Sequence, residues 1–414
     1  MAKKLKILMI NKFYFIKGGS ERYFFELKEI LERKCHTVIP FSMQHPNNFK
    51  TEFERYFVKH IEFNQNSFLK KIAEAPRILG RIIYSLHSRS QIEKLINTYK
   101  PDIAHLHMID HQISPSILHS LKKYGIPVIQ TVHQYKLVCP NYLLYIPHKG
   151  QICERCIKRS YIHPLLAKCH KNSWFASFVL VLETLIHRLM KIHQNINFFH
   201  VPSDFMKNKL QEGGFPAQKL LKHFYAIKLE DFPFSRTTEN FFVYLGRLSK
   251  EKGVLTLLKA MVNVNTSQLL IVGDGPQRPE LEKFAADIQL KNVKFVGNKS
   301  KHEVREIVSK SKFVVVPSEW YDNSPLVIYE SFAMGKPVLG ADIGGISELV
   351  DGDVGIKFQA GNVEQLHEKI YFLLNNPKLT REYGINARKR AESEFDPESH
   401  YRWISQVYHN MLNK

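Results

Sequence analysis

The sequence lacks a long uncharged apolar run that could cross a bilayer as a helix. Its most apolar stretch, FASFVLVLETLI (175–186), is interrupted by Glu183 and falls short of the roughly 20 residues that such a helix needs. The opening residues, MAKKLKILMINKFYF, carry too short an apolar run for a secretory signal and no small-residue cleavage site. We therefore expect a cytoplasmic protein that is at most peripheral on the inner face of the cell membrane.

Short-period repeats and low-complexity tracts are also absent, which argues against a solenoid or a disordered chain. The 414 residues are 44% hydrophobic and 24% charged, a balance that is typical of globular proteins. A chain of this length provides material for two substantial domains, each with its own core.

Acidic residues are scarce, because 39 Asp and Glu stand against 59 Lys and Arg and give a formal charge of +20. Such a field favours anionic partners, namely nucleic acid, phosphorylated small molecules or an anionic membrane surface. No nucleic-acid-binding module accompanies the charge, so nucleic acid is not expected as a partner. The segment FLKKIAEAPRILGRIIYSLHSRS (68–90) predicts a basic helix, which either lies on a membrane or covers an ordinary core.

Only five cysteines are present, and four of them fall within 31 residues. These four, which include a Cys-x2-Cys pair, are Cys139, Cys153, Cys156 and Cys169. Closely spaced thiols in a cytoplasmic protein favour a metal over disulfides, and tetrahedral zinc takes four such ligands. We expect a structural zinc that pins an insertion at about 139–170. A set of unligated thiols is the alternative, and a nearby histidine could replace one cysteine.

The first half of the chain alternates short apolar runs with helical segments. The runs that predict buried parallel strands are LKILMI (5–10), HTVIPF (36–41), DIAHLH (102–107) and PVIQTVH (127–133). A glycine loop, Gly18-Gly19, follows the first run, and His133 ends the last. Open α/β sheets bind their ligands at the carboxyl ends of the strands, so both features are candidates for a binding site.

The second half repeats this alternation with five strand candidates. They are FFVYLGRL (241–248), QLLIVGDG (268–275), VKFVGN (293–298), FVVVP (313–317) and KPVLGAD (336–342). The pattern predicts an α/β protein with two doubly wound, Rossmann-like domains that face one another across a cleft. We place the domains at 1–225 and 226–395, and we expect the last helix, 396–414, to pack back on the first domain.

The segment WYDNSPLVIYE (320–330) follows the fourth of these strands and places Asp322 and Glu330 eight positions apart. Ser324 as the N-cap and Pro325 as the first helical residue predict a helix start. Free N–H groups at a helix start bind phosphate, whereas a carboxylate such as Glu330 suits hydroxyl groups. A phosphate site beside a polyol site indicates a nucleotide sugar as the ligand.

Two other loops after strands contain residues that suit a diphosphate. The loop GRLSKEKG (246–253) places Arg247 and Lys252 five residues apart. Arg forks onto phosphate oxygens and Lys acts as a point charge, so both side chains are candidates. The loop GDGP (273–276) predicts a tight turn and lacks the spacing of the dinucleotide fingerprint.

Taken in order, YLGRLSKEKGV, IVGDGP and PSEWYDNSPLVIYESFAMGKPVLGADIGGISELV resemble the GT-B family of retaining glycosyltransferases of the group-four (GT4) type. The resemblance is strong over 240–355 and diffuse over the first domain. It implies the GT-B fold and a nucleotide-sugar donor, either a UDP- or a GDP-sugar. It also implies transfer with retention to a lipid-linked or polysaccharide acceptor, without a catalytic metal.

The resemblance further implies a role for each matching residue. Glu330 would bind the ribose hydroxyls, while Arg247 and Lys252 would hold the diphosphate and stabilise the leaving group. Asp322 stands where the family usually has Glu, beside the donor sugar, and His133 lies close to the reacting sugar. The other donor-site residues that the resemblance implies are Gly18, Gly19, Gly273, Asn323, Ser324, Pro325 and Leu326.

Two departures from the family pattern keep a different class of function open. Asp322 replaces Glu, and Gln134 replaces the Asp that often follows the histidine, so a catalytically silent binding or scaffold protein is one alternative. A sugar-nucleotide epimerase of the same fold is another, but it needs additional acid–base carboxylates that the sequence does not indicate. Release of free nucleotide diphosphate in the presence of an acceptor distinguishes an enzyme from a scaffold.

Overall fold

The computed structural model describes residues 4–61, 78–158 and 160–413. They form two α/β domains, each built on a six-stranded parallel sheet, with a cleft between them. The predicted fold class, two facing doubly wound domains, is confirmed. Of the basic helix predicted over 68–90, the part up to residue 77 lies outside the described residues.

Within its described residues the first domain has eight strands, of which six form its parallel sheet. They are β1 (Lys6–Ile10), β2 (Thr37–Phe41), β3 (Ile103–Leu106), β4 (Val128–Thr131), β5 (Tyr145–Ile146), β6 (Gln151–Ile152), β7 (Phe198–Val201) and β8 (Leu220–Lys222). The sheet order is β2-β1-β3-β4-β7-β8, and β5 and β6 form a separate antiparallel pair. Residues Ile7 to Ile10 of β1 are fully buried, as expected for a strand covered by helices on both faces.

The second domain repeats this architecture with six parallel strands. They are β9 (Phe241–Leu245), β10 (Gln268–Val272), β11 (Val293–Gly297), β12 (Val314–Val316), β13 (Val338–Ala341) and β14 (Gly355–Phe358). Their order, β11-β10-β9-β12-β13-β14, reverses direction between β9 and β12. This reversal is the point where doubly wound sheets open a crevice for ligands at the carboxyl ends of the strands.

Helices cover both faces of each sheet. In the first domain they are α1 (Gly19–Arg33), α2 (Leu86–Tyr99), α3 (Ile117–Lys123), α4 (His163–Leu166), α5 (Trp174–Leu189) and α6 (Asp204–Glu212). The later helices are α7 (Val254–Ala260), α8 (Arg278–Asp287), α9 (Lys301–Lys310), α10 (Leu326–Ala333), α11 (Ile346–Leu349), α12 (Val363–Asn375), α13 (Pro377–Glu394) and α14 (Pro397–Leu412). Within the described residues, no helix is both long and apolar enough to cross a membrane.

Helix α14 follows the second domain in sequence but contacts the first. The Tyr23 hydroxyl on α1 lies 2.9 Å from His400 Nε2, and His105 Nδ1 on β3 lies 2.7 Å from the Tyr408 hydroxyl. Both tyrosine rings are fully buried, so these hydrogen bonds lie inside the core of the first domain. The two domains are therefore linked both by the chain after β8 and by this returning helix.

Buried histidines are concentrated around this contact. The group consists of His105, His107, His200 and His400, with the half-buried His133 beside them at the edge of the cleft. Burial lowers the pKa of each of them, to about 3 for His105 and His133. Since a low pKa keeps the imidazole neutral, these rings act near neutral pH as uncharged hydrogen-bonding groups.

An insertion of the first domain connects β4 to β7. It runs from Val132 to Asn197 and contains the antiparallel pair β5–β6 and helices α4 and α5. The apolar stretch 175–186 lies within α5, a helix of 16 residues. Tyr142 and Leu143 of the insertion line the cleft between the two domains, so this segment forms part of its border.

Candidate functional site

The cleft between the domains has a volume of about 670 Å³. Loops at the carboxyl ends of β1, β4, β9 and β12 border it, and Gly18, His133, Arg247 and Asn323 are among the lining residues. Small-molecule sites in proteins occupy roughly 300–1,000 Å³. The cleft is therefore large enough for a ligand of the size of a nucleotide sugar.

The lining of the cleft is strongly basic. Its cations are Lys17, Arg22, Arg247, Lys252, Lys299, Lys301 and Arg305. Against these seven, the described lining contains two carboxylates, Asp322 and Glu330. An excess of cations in a concave site attracts anions and strengthens their binding, so the cleft suits a phosphorylated ligand.

Helix α10 begins at Leu326, with Pro325 in the N-cap position. The predicted N-cap, Ser324, is wrong, because its hydroxyl is directed to the Tyr329 hydroxyl at 2.6 Å and not to the first turn of the helix. A proline cap has no side-chain acceptor for the free N–H groups of that turn. Leu326 and Val327 of this first turn line the cleft, so an anion bound there can accept hydrogen bonds from the free N–H groups of the turn.

Glu330, one turn inside α10, is buried and forms an ion pair with Arg22 of the first domain. Burial raises the pKa of Glu330, and the Arg22 guanidinium opposes that increase. The same burial raises the pKa of the neighbouring Glu26 to about 7. Arg22 was not predicted from the sequence; its position three residues after Gly19 in the first turn of α1 is the only signal that could have indicated it.

Lys252 and Asp322, both predicted as site residues, contact each other. Lys252 Nζ lies 2.9 and 2.7 Å from the two Asp322 carboxylate oxygens, and the Ser318 hydroxyl donates to Asp322 at 2.7 Å. Lys252 also lies over the Trp320 ring, 5.4 Å from its centroid. The charge of Lys252 is therefore partly balanced by Asp322, the acid that the sequence predicts beside the donor sugar.

Arg247 and Gly273 occupy different environments. Arg247 is exposed at the cleft, and its guanidinium forms no ion pair with any residue that the structure describes. Gly273 is not among the cleft-lining residues; its φ of +128° and the close approach of the Gly246 carbonyl leave no room for a Cβ atom. Gly273 thus supports the loop that carries Arg247, and the structure does not bring it to the ligand position.

The glycine loop of the first domain faces the start of α10 across the cleft. A Cβ atom on Gly19 would lie 3.5 Å from the Leu326 side chain, an ordinary contact distance. Gly18 is the N-cap of α1, so the first turn of this helix also opens toward the cleft. Gly18, Gly19, Ser324, Pro325 and Leu326 therefore line the same cleft.

His133 lies at the cleft with both ring nitrogens engaged. Its Nδ1 is 2.8 Å from the Tyr225 hydroxyl and its Nε2 is 3.1 Å from His107 Nδ1. With a pKa that burial lowers to about 3, the ring is neutral near pH 7. With both nitrogens occupied, the ring can orient a sugar by van der Waals contact, and it is not an imidazolium acid in this pH range.

Asn323 connects the two domains directly. Its side-chain amide donates to the Val132 carbonyl at 3.1 Å and accepts from the Ser203 hydroxyl at 2.8 Å, and both partners belong to the first domain. The side chain of Asn323 therefore joins the two domains, and one of its partners, Val132, is the residue directly before His133. This arrangement fixes the distance between the histidine and the loop that carries Asp322.

The four clustered cysteines lie together, but the predicted structural zinc is not supported. Cys139, Cys153, Cys156 and Cys169 are free thiols that line one small cavity of about 10 Å³. Among the described residues, no group of three or more His, Cys, Asp or Glu side chains has the arrangement of a metal site. The Cys139 thiol donates a hydrogen bond to the Asn141 side-chain oxygen at 2.9 Å.

Comparison with known proteins follows the same two-domain division. Residues 17–221 match the family described as Glycosyltransferase Family 4, and residues 228–390 match glycosyl transferases group 1. An uncharacterized glycosyltransferase of Methanocaldococcus jannaschii is 32% identical over 173 residues, which cover 42% of this chain and 48% of the relative. The alignment thus spans about half the length of that relative.

Solved structures with the same fold cover nearly the whole chain. Sucrose-phosphate synthase from Thermosynechococcus elongatus superposes with a TM-score of 0.74 at 19% identity, covering 99% of this chain and 100% of that chain. Anabaena HepE in complex with UDP-glucose gives a TM-score of 0.67 at 17% identity and covers 99% of both chains. With both domains matched and the GT-B architecture shared, the chain belongs to the glycosyltransferases of the group-four type.

Proposed function

We propose that this protein is a retaining glycosyltransferase that moves a sugar from a UDP- or GDP-sugar to a lipid-linked or polysaccharide acceptor. The observation that carries the proposal is the position of Glu330, a buried carboxylate in a cleft whose other charges are mostly cations. A carboxylate accepts hydrogen bonds from ribose hydroxyls, and the cations beside it attract a diphosphate. A relative of the same fold has been solved with UDP-glucose, which supports the same donor class here.

Different residues around Glu330 would bind different parts of the donor. Glu330 would bind the ribose, and Arg22, which pairs with it, would keep its carboxylate ionised. Arg247 and Lys252 would hold the diphosphate, assisted by the N–H groups of the first turn of α10. Two cations and a helix N-terminus supply positive charge at the leaving group, so the proposed step uses no catalytic metal.

The proposed transfer proceeds on one face of the donor sugar. The bond between the anomeric carbon and the β-phosphate oxygen breaks, and a bond from the acceptor hydroxyl oxygen to that carbon forms on the same face. The acceptor proton moves to the departing β-phosphate oxygen, so atoms and charge balance. Arg247 and Lys252 would stabilise the charge that develops on the diphosphate.

Asp322 and His133 would position the sugar. Asp322 is held by Lys252 and Ser318, and its carboxylate would lie at the phosphate end of the donor sugar. His133 is neutral and held by Tyr225 and His107, so it would act by orientation and not by proton donation. The epimerase alternative is less well supported, because both carboxylates of the described lining are already paired with cations.

Calorimetric titration with UDP and GDP tests the donor site. We expect the wild type to bind one of the two nucleotides, and Glu330→Ala to lose at least about tenfold in affinity, because a charged hydrogen-bond acceptor is removed. Glu368→Ala, an exposed glutamate on α12, is the matched control and should bind like the wild type. Failure of both nucleotides to bind the wild type would contradict the proposed donor site.

A turnover measurement then separates the enzyme from a silent binding protein. With the matching nucleotide sugar and an acceptor, the enzyme should release free nucleotide diphosphate, and nuclear magnetic resonance of the product should show retained anomeric configuration. Addition of EDTA should leave the rate unchanged if no metal takes part. Binding without any turnover across a panel of donors and acceptors would favour the scaffold alternative.

A further inference from the structure

Large apolar side chains are exposed in one part of the first-domain insertion. Of the fifteen exposed large hydrophobic residues that the structure describes, eight lie between positions 162 and 190. We call these eight the apolar face: Ile162, Leu166, Trp174, Phe175, Phe178, Leu185, Leu189 and Met190. Leu189 is 82% exposed and Leu166 is 76% exposed. A large exposed apolar patch on a folded protein marks a surface that contacts a partner or a membrane.

The apolar face is one continuous surface on two helices. Trp174, Phe178, Leu185 and Leu189 recur at helical spacing along α5, and the rings of Trp174 and Phe178 stack with centroids 5.5 Å apart. Helix α4 packs beside them, because Leu165 of α4 and the preceding Ile162 line the same groove as Phe178 and Leu185 of α5. A groove shared by both helices joins their exposed residues into a single patch.

The opposite face of α5 is firmly attached to the domain. Ser173 caps the helix by accepting from the Ala176 N–H, and Leu180 and Glu183 are buried. Glu183 forms an ion pair of 2.6 Å with Lys136, three residues after His133. The exposed apolar side chains therefore belong to a well-packed helix whose inner face contacts the cleft region.

Basic residues accompany the apolar face with almost no acidic ones. Between positions 155 and 191 the sequence has seven basic residues and one acidic residue, Glu183, which is fully buried. Lys158, Lys168 and Lys191 are exposed. The outward charge of this region is thus positive, and an apolar face with a basic rim matches an anionic bilayer surface in both chemistry and charge.

We propose that the apolar face docks this protein on an anionic lipid bilayer, with α5 lying in the plane of the interface. With 16 residues, α5 is roughly 24 Å long, so it lies in the surface and does not cross it. A second copy of the chain is a poorer occupant, because a symmetric contact would bring the two basic rims together. The docking surface itself does not depend on the proposed function, whereas a membrane-bound acceptor does.

Docking by this face would place the acceptor side of the cleft near the membrane. The same insertion provides Tyr142 and Leu143 to the cleft, and the Lys136–Glu183 pair ties α5 to the strand end that carries His133. An acceptor held in the bilayer would then reach the cleft from the insertion side. The docking surface is therefore assigned to 162–190.

Vesicle flotation with the full chain tests the proposal. We expect the protein to float with phosphatidylcholine vesicles that contain phosphatidylglycerol, and at least about tenfold less with pure phosphatidylcholine. The variant Phe175→Ser/Leu189→Ser should lose binding by about tenfold or more, because each change removes an apolar side chain from the interface. The matched control is Val262→Ser/Phe372→Ser, two exposed apolar residues of the second domain, and it should float like the wild type.

Two control measurements distinguish a lost docking surface from misfolding and from a change of oligomeric state. Calorimetric nucleotide binding by the double variant should equal that of the wild type, which separates a lost docking surface from a misfolded protein or a failed donor site. Light scattering should show the same mass for the wild type and the variant. Equal flotation of the double variant and its control would overturn the proposal, as would a wild-type dimer that the variant converts to a monomer.

Discussion

Arg22 on the first helix of one domain forms an ion pair with Glu330, which is buried in helix α10 of the other. The pair crosses the cleft at the position where a nucleotide ribose is expected. Burial disfavours the charged form of Glu330, and Arg22 favours it. The ionised state of the carboxylate at the proposed donor site therefore depends on a residue of the opposite domain.

Removing Arg22 should make nucleotide binding sensitive to pH. In Arg22→Met the opposing guanidinium is lost, so the pKa of Glu330 should increase further and its carboxylate should protonate at a higher pH. Titrations between about pH 5 and 8 should show affinity falling with decreasing pH at a higher pH than in the wild type. Arg33→Met, on the exposed end of the same helix, is the control. An unchanged pH profile would show that Arg22 does not set the ionisation of Glu330.

Lys252 and Asp322 should be energetically coupled in donor binding. Lys252→Met removes a cation from the diphosphate position and leaves the Asp322 charge unbalanced, so nucleotide affinity should fall by at least about tenfold. In Lys252→Met/Asp322→Asn the unbalanced charge is gone, and affinity should partly recover. Lys250→Met, in the same turn but outside the cleft lining, is the matched control. Strictly additive losses in the double variant would contradict the coupling.

The buried histidines should make the folded protein less stable in acid. Their pKa values are lowered in the folded state, so below about pH 6.5 the unfolded chain binds protons that the folded chain does not. The free energy of unfolding should therefore be fully present above that pH and decrease as the pH falls. Each histidine that protonates only on unfolding contributes a slope of about 1.4 kcal/mol per pH unit.

Urea denaturation at a series of pH values measures this slope. The variant His105→Gln keeps groups that can bond to Tyr408 and Thr131 while removing one titrating ring, so its slope should be shallower by about 1.4 kcal/mol per pH unit. His302→Gln, at an exposed position on α9, should leave the slope unchanged. The same slope in both variants would show that His105 does not contribute to the acid sensitivity.

Substitution of Gly273 should reduce the stability of the fold more than the affinity for the nucleotide. Its φ of +128° and the Gly246 carbonyl beside it leave no place for a methyl group, so Gly273→Ala should cost about 1–3 kcal/mol in the free energy of unfolding. Gly352→Ala, where a Cβ atom would meet no neighbour, is the control and should be close to neutral. A large loss of nucleotide affinity with unchanged stability would instead support the donor-site role that the sequence predicted.

The sequence by itself determined most of the architecture. The apolar runs of β1 to β4 and of β9 to β13 predicted parallel strands, because a strand with both faces covered needs no polar side. The predicted helix after β12 is also present, although its N-cap is Pro325 and not Ser324. Strands β5 to β8 and β14 were not predicted; β5, β6 and β8 have only two or three residues, too few to show a periodic pattern.

The tertiary structure alone decided which site residues meet. Arg22 pairs with Glu330, Lys252 with Asp322, and Asn323 with the first domain, over separations of 308, 70 and more than 100 positions that no local pattern encodes. It also placed the exposed side chains of 162–190 on one surface, where the sequence showed only an apolar stretch. Local periodicity fixes which face of a helix is apolar, but only packing determines whether that face is covered.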